Sequence, residues 1–357
     1  MKLRFLPILF AMVAIFVGCE KDDDSPTNPG TYTPSDSTWS DGSGGYNVRL
    51  NATSSSAYRY YDLSNRSVVE ITDWQSSTNM VWDLAFRRFM GKTNGGASGG
   101  AGMKAVDMAS LNFADSTNFD AVASVPAIAD SLWMEDRMTL AIPDADWWWY
   151  TGPPNHWILP TKTTFMIKTA IGKFGKVSID SLALSTMSRA GMVTLKFVYQ
   201  TDGSTNIGGA AQFATIDATT GPAYFSFSTG GSVAIATPSN STAWDLMIDG
   251  YSIKLNSSLS GPGMAGAIKS DTTFDATVTV PAGQPFNQDG SISVFGTDSV
   301  MPWFNYLELN RTLLTKNHVY LLRTSANVTY KMQITNYYMV VGGTSQSGWM
   351  QFRFKQL

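Results

Sequence analysis

The sequence predicts an all-β protein that consists of two tandem copies of one mostly antiparallel β domain, with little helix. Three observations lead to this fold class. Short runs rich in β-branched and aromatic residues are separated by Gly, Pro, Asn and Asp, which is typical of strands joined by turns. Helical periodicity is scarce, and only the stretch 128–138 is expected to hold one short helix. Motifs of the first half also recur in the second half in the same order.

The internal repeat is long. The sequence WDL at 82–84 recurs at 244–246, and each copy is followed by an Asn and then by a Ser-Gly pair. The sequence FDA at 119–121 recurs at 274–276 with a slightly shorter offset. That shorter offset also relates the apolar segments 165–170 and 320–325. Because solenoid units repeat every 20 to 50 residues or so, a repeat of this length indicates duplication of a whole folding unit.

The N-terminus has the pattern of a lipoprotein signal peptide. Lys2 and Arg4 precede an apolar run at 5–17, which is too short to span a bilayer stably. The run ends just before Cys19, the only cysteine of the chain, so residues 1–19 are predicted to be a signal peptide with a lipidated Cys19. Acyl chains there would anchor an otherwise soluble protein. The alternative is an ordinary secretory signal followed by a buried free thiol.

Residues 20–46 are predicted to be a flexible tether. The acidic run at 20–24 lacks the glycine turn and alternating spacing of a calcium site, so it is interpreted as solvated. The residues that follow are Ser, Thr, Pro, Gly and Asp with almost no aliphatics, which cannot offset the entropy of chain ordering. An acidic run after a lipidated cysteine also resembles the surface-export tether of Bacteroidota lipoproteins. This resemblance implies a lipid-anchored outer-membrane protein exposed at the cell surface.

The remaining chain suits two domains of about 150 residues. The predicted domains are 47–203 and 208–357, and each is expected to end in a strand of alternating pattern, at 191–197 and 348–354. Further strands are predicted, in order, at 58–61, 67–71, 164–168, 176–179, 318–323 and 329–334.

Composition limits the functional classes. The formal net charge is −3, charged residues make up 15% of the chain, and no basic block is present. Nucleic acid and anionic membrane faces are therefore poor partners, and membrane attachment is expected through the lipid anchor alone. With no disulfide available, each domain must depend on its hydrophobic core, which is sufficient at this size.

Several motifs together resemble the HmuY family of haem-binding lipoproteins of Bacteroidota. They are YYDL at 60–63, VVEITD at 68–73, WDLAFRR at 82–88, TNGG at 93–96 and IKTA at 167–170, and in the second copy YFSFS at 224–228, WDL at 244–246 and YLLRT at 320–324. The resemblance covers about 47–200 and 208–357. It implies an all-β haem carrier that serves iron acquisition, passes haem to an outer-membrane receptor and catalyses no reaction.

The resemblance also implies where haem ligands should lie. Family members hold the iron between two side chains, commonly His and in some relatives Met. Thr151 stands at one family His position, and Tyr306 is its counterpart in the second copy; a tyrosinate can ligate ferric haem. The candidate ligands in the expected segments are Met134, Met138, His156, Met301 and Tyr306. For each Met, core filling is the plain alternative, and a surface imidazole is the plain alternative for His156.

The cluster WWWY at 147–150 is the densest aromatic segment. If it is a strand, Trp147 and Trp149 face one side and the other two residues face the opposite side. One pair would then enter the core, whereas the other would be exposed or line a cleft. Haem packing, stacking on a sugar ring with Asp144 and Asp146 as hydroxyl acceptors, and ordinary domain packing all remain open.

The sequence gives little support for an enzyme. No zinc-ligand spacing is present, and His156 and His318 are the only histidines, placed where no Ser-His-Asp set is plausible. The glycine-rich segments 98–102 and 260–263 lack a GK[ST] ending and are interpreted as tight turns with close backbone approach. The leading hypothesis is a surface lipoprotein that binds haem or another planar apolar ligand without transforming it. The alternative is a glycan- or protein-binding lipoprotein on the same scaffold that has lost the haem ligands.

Overall fold

The computed structural model describes residues 35–296 and 302–357. The predicted signal peptide with Cys19, most of the predicted tether and Met301 lie outside the described residues. Within the part of the chain that is described, no helix has both the length and the apolar character needed to cross a membrane.

The all-β prediction is confirmed. The strands of the described residues are β1 (Ser37–Ser40), β2 (Tyr46–Asn51), β3 (Arg59–Asp62), β4 (Ser67–Val69), β5 (Leu84–Arg87), β6 (Met90–Thr93), β7 (Lys104–Asp107), β8 (Arg137–Thr139), β9 (Trp148–Tyr150), β10 (Ile158–Pro160), β11 (Thr164–Lys168), β12 (Phe174–Ala183) and β13 (Gly191–Tyr199). They continue with β14 (Gln212–Ala218), β15 (Ala223–Ser226), β16 (Gly231–Val233), β17 (Leu246–Asp249), β18 (Ser252–Leu255), β19 (Gly266–Lys269), β20 (Gly290–Ile292), β21 (Phe304–Leu307), β22 (Thr312–Thr315), β23 (Val319–Arg323), β24 (Thr329–Val341) and β25 (Thr344–Gln356). Within the described residues, helix is limited to α1 (Asp144–Trp147) and to the 3-10 turns Asp73–Gln75, Asp130–Leu132 and Pro238–Asn240. The second of these turns corresponds to the short helix expected within 128–138.

Two large antiparallel sheets carry the fold. The N sheet has the strand order β1-β2-β25-β24-β23-β7, and the C sheet has the order β14-β13-β12-β11-β19. A four-stranded sheet accompanies each of them, with the orders β4-β3-β5-β6 and β16-β15-β17-β18. Because the strands of the second copy occupy the same relative positions as those of the first, the predicted duplication is confirmed at the level of topology.

The two copies exchange their C-terminal strands. In the N sheet, β2 and β7 of the first copy pair with β25 and β23 of the second copy. In the C sheet, β14 and β19 of the second copy pair with β13 and β11 of the first copy. The pairing of β2 with β25 is equivalent to that of β14 with β13, and the pairing of β7 with β23 is equivalent to that of β19 with β11. All four pairings join a strand of the first copy to a strand of the second. The turn at 200–211, where the repeat boundary falls, connects two strands that are neighbours in one sheet.

Two equivalent buried lysines repeat this exchange at the level of side chains. Lys331 Nζ, in the second copy, donates hydrogen bonds of 2.6 and 2.7 Å to carbonyls of the 119–122 turn in the first copy. Lys176 Nζ, in the first copy, donates two bonds of 2.6 Å to carbonyls of the 274–277 turn in the second. These turns contain the repeated FDA motif. A buried ammonium needs hydrogen-bond acceptors of this kind. Each copy therefore supplies the lysine whose ammonium group is hydrogen-bonded to the turn carbonyls of the other copy.

The exchanged strands build two modules with separate cores. The N module comprises 35–139, 293–296 and 302–357, and its core joins Leu50 and Phe86 to Phe352. The C module comprises 141–289, and its core joins residues such as Ile167, Leu195 and Leu246. The chain passes between the modules twice, through β8 and β20, and these two crossover strands pair with each other.

The glycine-rich segments lie in turns, as the sequence predicts, and each turn is fixed by a buried asparagine. Asn256 Nδ2 donates bonds of 2.8 Å to the carbonyls of Ser241 and Trp244, and its Oδ1 accepts from the N–H of Gly263 at 3.0 Å. Asn94 forms the same three bonds in the N module. The repeated Trp, Asn and Ser-Gly are therefore parts of one structural unit that occurs in both modules.

The prediction of a flexible tether over 20–46 is wrong for its last part. Strand β1 pairs with β2 and extends the N sheet by one strand. Asp36 forms an ion pair of 2.5 Å with Arg59, and the hydroxyl groups of Thr38 and Tyr61 are 2.9 Å apart. Composition alone missed this strand because the edge of the sheet supplies the backbone partners that the segment lacks by itself.

A buried aspartate precedes each crossover strand. Asp136 accepts hydrogen bonds from the backbone N–H (2.9 Å) and the hydroxyl (2.7 Å) of Thr93. Asp289 accepts from the N–H groups of Ala141 and Leu255 and from the hydroxyl of Ser260. Removal from water disfavours the carboxylate form. Burial therefore raises the pKa of Asp136 to about 7 and that of Asp289 to about 6, although these hydrogen bonds act in the opposite direction.

We expect the free energy of unfolding to fall as the pH rises from about 4 to about 7. In this window the folded protein retains protons that the unfolded chain has already released, so stability is lost as the folded carboxyls ionise. In Asp136→Asn the amide can still pair with both groups of Thr93 but cannot ionise, so the loss between pH 5 and pH 8 should shrink by on the order of 2 kcal/mol. Urea unfolding at both pH values measures this difference. An equal loss of unfolding free energy between pH 5 and pH 8 in the two proteins would contradict this prediction.

Candidate functional site

The hairpin of β9 and β10 exposes several large apolar side chains on the C module. Its register places Trp149 opposite Leu159 and Tyr150 opposite Ile158. Directly opposed residues share a face of the hairpin, so Trp149 and Leu159 form one apolar surface. Trp149 is 50% exposed, and Leu159 is also exposed. Large exposed apolar side chains placed together are typical of a binding surface.

The three consecutive tryptophans have three different environments. Trp147 ends α1 and is buried in the core of the C module. Trp148 is half-buried, with its ring centroid 4.7 Å from that of Tyr251, whereas Trp149 faces outward. The expectation that Trp147 and Trp149 share a strand face is wrong, because the helical turn α1 displaces Trp147 from the strand alternation. Of the two, only Trp149 is accessible to a ligand.

The turn of this hairpin carries His156. Its Nδ1 is hydrogen-bonded to the hydroxyl of Tyr150, and its Nε2 has no hydrogen-bond partner among the described residues. Thr151, at the family His position, closes the turn: its N–H donates to the carbonyl of Trp157, and its hydroxyl accepts from the N–H of Trp157, both at 2.9 Å. His156 and Thr151 therefore lie on opposite sides of the same turn.

A cleft of about 450 Å³ lies beside this turn. The hairpin side contributes His156, Trp157 and Leu159, and the opposite side is the end of β12, with Leu182, and the loop after it, with Met187. Trp157 is 58% exposed and Met187 is 77% exposed. Met187 was missed by the sequence-based search because it lies in an irregular loop, far in sequence from the segments where family ligands were sought. Its only sequence signal is an apolar residue within a polar stretch.

The N module presents the equivalent hairpin, formed by β21 and β22. Tyr306 lies opposite Leu313 and is 53% exposed, and Leu309, at the turn, is fully exposed. The hairpin rests on β24, where the hydroxyl of Tyr338 accepts a hydrogen bond of 2.7 Å from the N–H of Leu313. Both modules therefore expose apolar side chains on the same structural element, but only the C module has a histidine there.

The other predicted site residues lie apart from these hairpins. Met134 is 46% exposed and forms an isolated backbone bridge with Ala105 in the N module. Met138 lies in the crossover strand β8, opposite Ser291. The structure thus brings His156 and Trp149 onto one hairpin, and places Met134, Met138 and Tyr306 elsewhere.

The second histidine has a structural partner. His318 Nδ1 lies 2.9 Å from the carboxylate of Asp107, across the exchanged pairing of β23 and β7. Within residues 35–296 and 302–357, no group of three or more His, Cys, Asp or Glu side chains is close enough to hold a bare metal ion.

The described strands define a duplicated all-β fold with one apolar hairpin exposed in each module. The chain belongs to the HmuY family, whose model, described as HmuY protein, matches residues 54–197 and 218–354. Each matched segment contributes strands to both modules. A family match of this extent supports a haem-binding type of role at the level of the family.

Three solved structures of Bacteroidota proteins are similar to the chain. A HmuY-like heme binding protein from Bacteroides vulgatus has 11% identity and a TM-score of 0.37, with coverage of 90% of this chain and 97% of that one. A lipoprotein from Bacteroides fragilis has 12% identity and a TM-score of 0.34, with coverage of 89% and 93%. The apo HmuY analog of Tannerella forsythia has 8% identity and a TM-score of 0.35, with coverage of 87% and 95%. No match was found among the curated proteins.

Proposed function

We propose that the protein is a lipid-anchored surface protein of the outer membrane that binds haem or a related porphyrin without transforming it. The cleft beside the β9–β10 turn is the proposed site, and His156 is the proposed axial ligand. The observation that carries the proposal is that this imidazole lines a cleft together with Trp157, Leu159 and Met187, with one ring nitrogen already hydrogen-bonded to Tyr150.

The residues present fit a haem group. A ligating histidine usually has its second ring nitrogen fixed by a hydrogen bond, which selects the tautomer and orients the ring. The Tyr150 hydroxyl supplies that bond, so Nε2 remains for the iron. Trp157 and Leu159 offer apolar area for the macrocycle, and the Met187 thioether across the cleft is of the type that serves as a second haem ligand. The volume of the cleft lies within the ordinary range of ligand sites.

Anchoring and delivery complete the proposal. Lipidation of Cys19 would hold the protein at the outer membrane, and the residues before β1 would set its reach from the surface. A carrier in that position would pass haem to an outer-membrane receptor for iron acquisition. The support is the sequence of the N-terminal segment and the family to which the chain belongs.

Titration of the protein with micromolar haem tests the site. We expect a sharpened and shifted Soret band, because coordination by an imidazole changes the electronic environment of the iron. His156→Ala should weaken binding by about tenfold or more, and Met187→Leu, which keeps the apolar volume, should alter the spectrum more than the affinity. The visible spectrum of each of the three proteins is recorded during the haem titration.

His318→Ala is the matched control, because it removes the only other histidine at a position paired with Asp107. Its haem spectrum should equal that of the unaltered protein. No Soret shift in the unaltered protein, or an equal shift in His156→Ala, would exclude His156 as a haem ligand.

Glycan binding on the same hairpin is the second candidate. It is favoured by the exposed indole rings of Trp149 and Trp157, since such rings stack on sugar faces. Asp146, expected to accept sugar hydroxyls, is instead paired with Lys269 at 2.6 Å. Trp149→Ala should then abolish retention on a glycan surface whereas His156→Ala should not. If haem is the ligand, and His156→Ala abolishes its binding whereas Trp149→Ala does not, the result supports the first proposal.

A further inference from the structure

A second cleft lies between the two modules, and its lining shares no residue with the cleft beside the β9–β10 turn. Its volume is about 550 Å³. Arg87 and Met90 line it from the N module, and Lys269 and Phe286 line it from the C module. Residues of both chain crossings, including Thr139 and Gly290 of the paired strands β8 and β20, also line it. Clefts at domain interfaces are preferred sites for small ligands.

The cleft has a cation without an acidic partner. The Arg87 guanidinium lies over the ring of Tyr58, 4.7 Å from its centroid, and contacts the sulfur of Met90 at 3.5 Å. Among the described residues, no carboxylate lies within ion-pair distance of Arg87.

The two acidic residues that line the cleft are engaged elsewhere. Asp146 is paired with Lys269 at 2.6 Å, and Asp289 directs its oxygens at two backbone N–H groups and at the Ser260 hydroxyl. The arginine therefore remains as the group for an incoming anion. A guanidinium has five N–H donors, more than the contacts of Arg87 with Tyr58 and Met90 use, so donors remain for a carboxylate.

The rest of the lining indicates the kind of ligand. Exposed Asn287 and Gln288 contribute amides, and Ser55 and Thr139 contribute hydroxyls, so the cleft offers several hydrogen-bonding groups. Phe286 and Met90 add limited apolar area. A ligand with one carboxylate, several hydroxyls and a small apolar face matches this set better than a large apolar plate does. Acidic sugars have that composition.

We propose that the inter-module cleft binds an acidic monosaccharide unit, with Arg87 on the carboxylate and the amides of 287–288 on the hydroxyls. Such a ligand contacts both modules at once. The protein would then carry two independent sites, one on the β9–β10 hairpin and one between the modules.

Calorimetric titration of the full protein with glucuronate, galacturonate and N-acetylneuraminate tests this proposal. At least one should bind saturably, and neutral glucose should bind about tenfold more weakly or not at all, since it lacks the charge-assisted pair. Arg87→Gln, on the N module, and Gln288→Ala, on the C module, should each weaken the binding. His156→Ala should leave it unchanged.

Arg66→Gln is the matched control, because Arg66 also stacks on a tyrosine, with its guanidinium 4.3 Å from the centroid of Tyr46, but does not line the cleft. It should bind the acidic sugar as the unaltered protein does. Absence of saturable binding for all three acidic sugars, or equal binding by Arg87→Gln, would overturn the proposal. Loss in Arg87→Gln with none in Gln288→Ala would overturn the two-module site.

Discussion

Replacement of Gly261 by alanine is expected to destabilise the C module by about 3 to 4 kcal/mol. A Cβ at this position would lie 2.2 Å from Asn256 Oδ1 and 2.9 Å from a ring carbon of Trp244. Asn256 is fully buried, and its amide satisfies two carbonyls and one N–H. Any shift that admits the methyl group must break some of these bonds without access to water, which is the costly way to lose a hydrogen bond.

Gly221→Ala is the matched control, because no atom lies within 4 Å of the Cβ position and the backbone is outside the left-handed region. Its unfolding free energy should change by no more than about 0.5 kcal/mol. Denaturant unfolding compares the two variants. Gly99→Ala should be as harmful in the N module, since its Cβ would meet Asn94 Oδ1. Equal midpoints for Gly261→Ala and Gly221→Ala would show that the close approach does not constrain the chain.

The fold class and the duplication could be predicted from the sequence because both depend on local patterns. Buried and half-exposed residues alternate as expected along most of β13, and in β25 they alternate over 350–355. The repeated Trp, Asn and Ser-Gly positions recur as one structural unit. Such features need only the period of the side chains and the chemistry of the turns.

The exchange of strands could not be predicted in the same way. Strands β7 and β19 are equivalent strands of the two copies and present similar residues. Local sequence therefore does not decide which of the two pairs with β23. What distinguishes the partners is the path of the chain, which crosses between the modules through β8 and β20. That choice depends on long-range connectivity, to which a search for local patterns is insensitive.

The candidate site was predicted in part for a related reason. His156 and Trp149 lie near one turn, so short-range sequence placed them together. Met187 joins them only because the loop after β12 folds against the hairpin. Arg87, Lys269 and Phe286 are brought to one cleft by the crossover of the chain. Residues that the strand exchange brings together lie far apart in the sequence, and no local pattern links them.

A disulfide between positions 104 and 323 is expected to form readily, because the exchange makes Lys104 and Arg323 direct partners across β7 and β23. Opposed residues of antiparallel strands have Cα atoms about 4.5 to 5.5 Å apart, which is within the range that a disulfide spans. The native chain has one cysteine, Cys19. A Cys19→Ser chain with Lys104→Cys and Arg323→Cys therefore offers a single pair for oxidation. The bond would close a very long loop and should raise the unfolding free energy by up to about 4 kcal/mol.

The control pair decides between exchanged and separate copies. Lys168 is the repeat equivalent of Arg323, and in the exchanged structure it pairs with Gly266 instead of Lys104. If each copy folded by itself, Lys104 would lie opposite Lys168. Lys104→Cys with Lys168→Cys should thus remain reduced under conditions that oxidise the first pair, as peptide mapping by mass spectrometry would reveal. Oxidation of this control pair alone would mean that the copies are separate domains, whereas oxidation of the first pair alone means that neither copy completes its large sheet without the other.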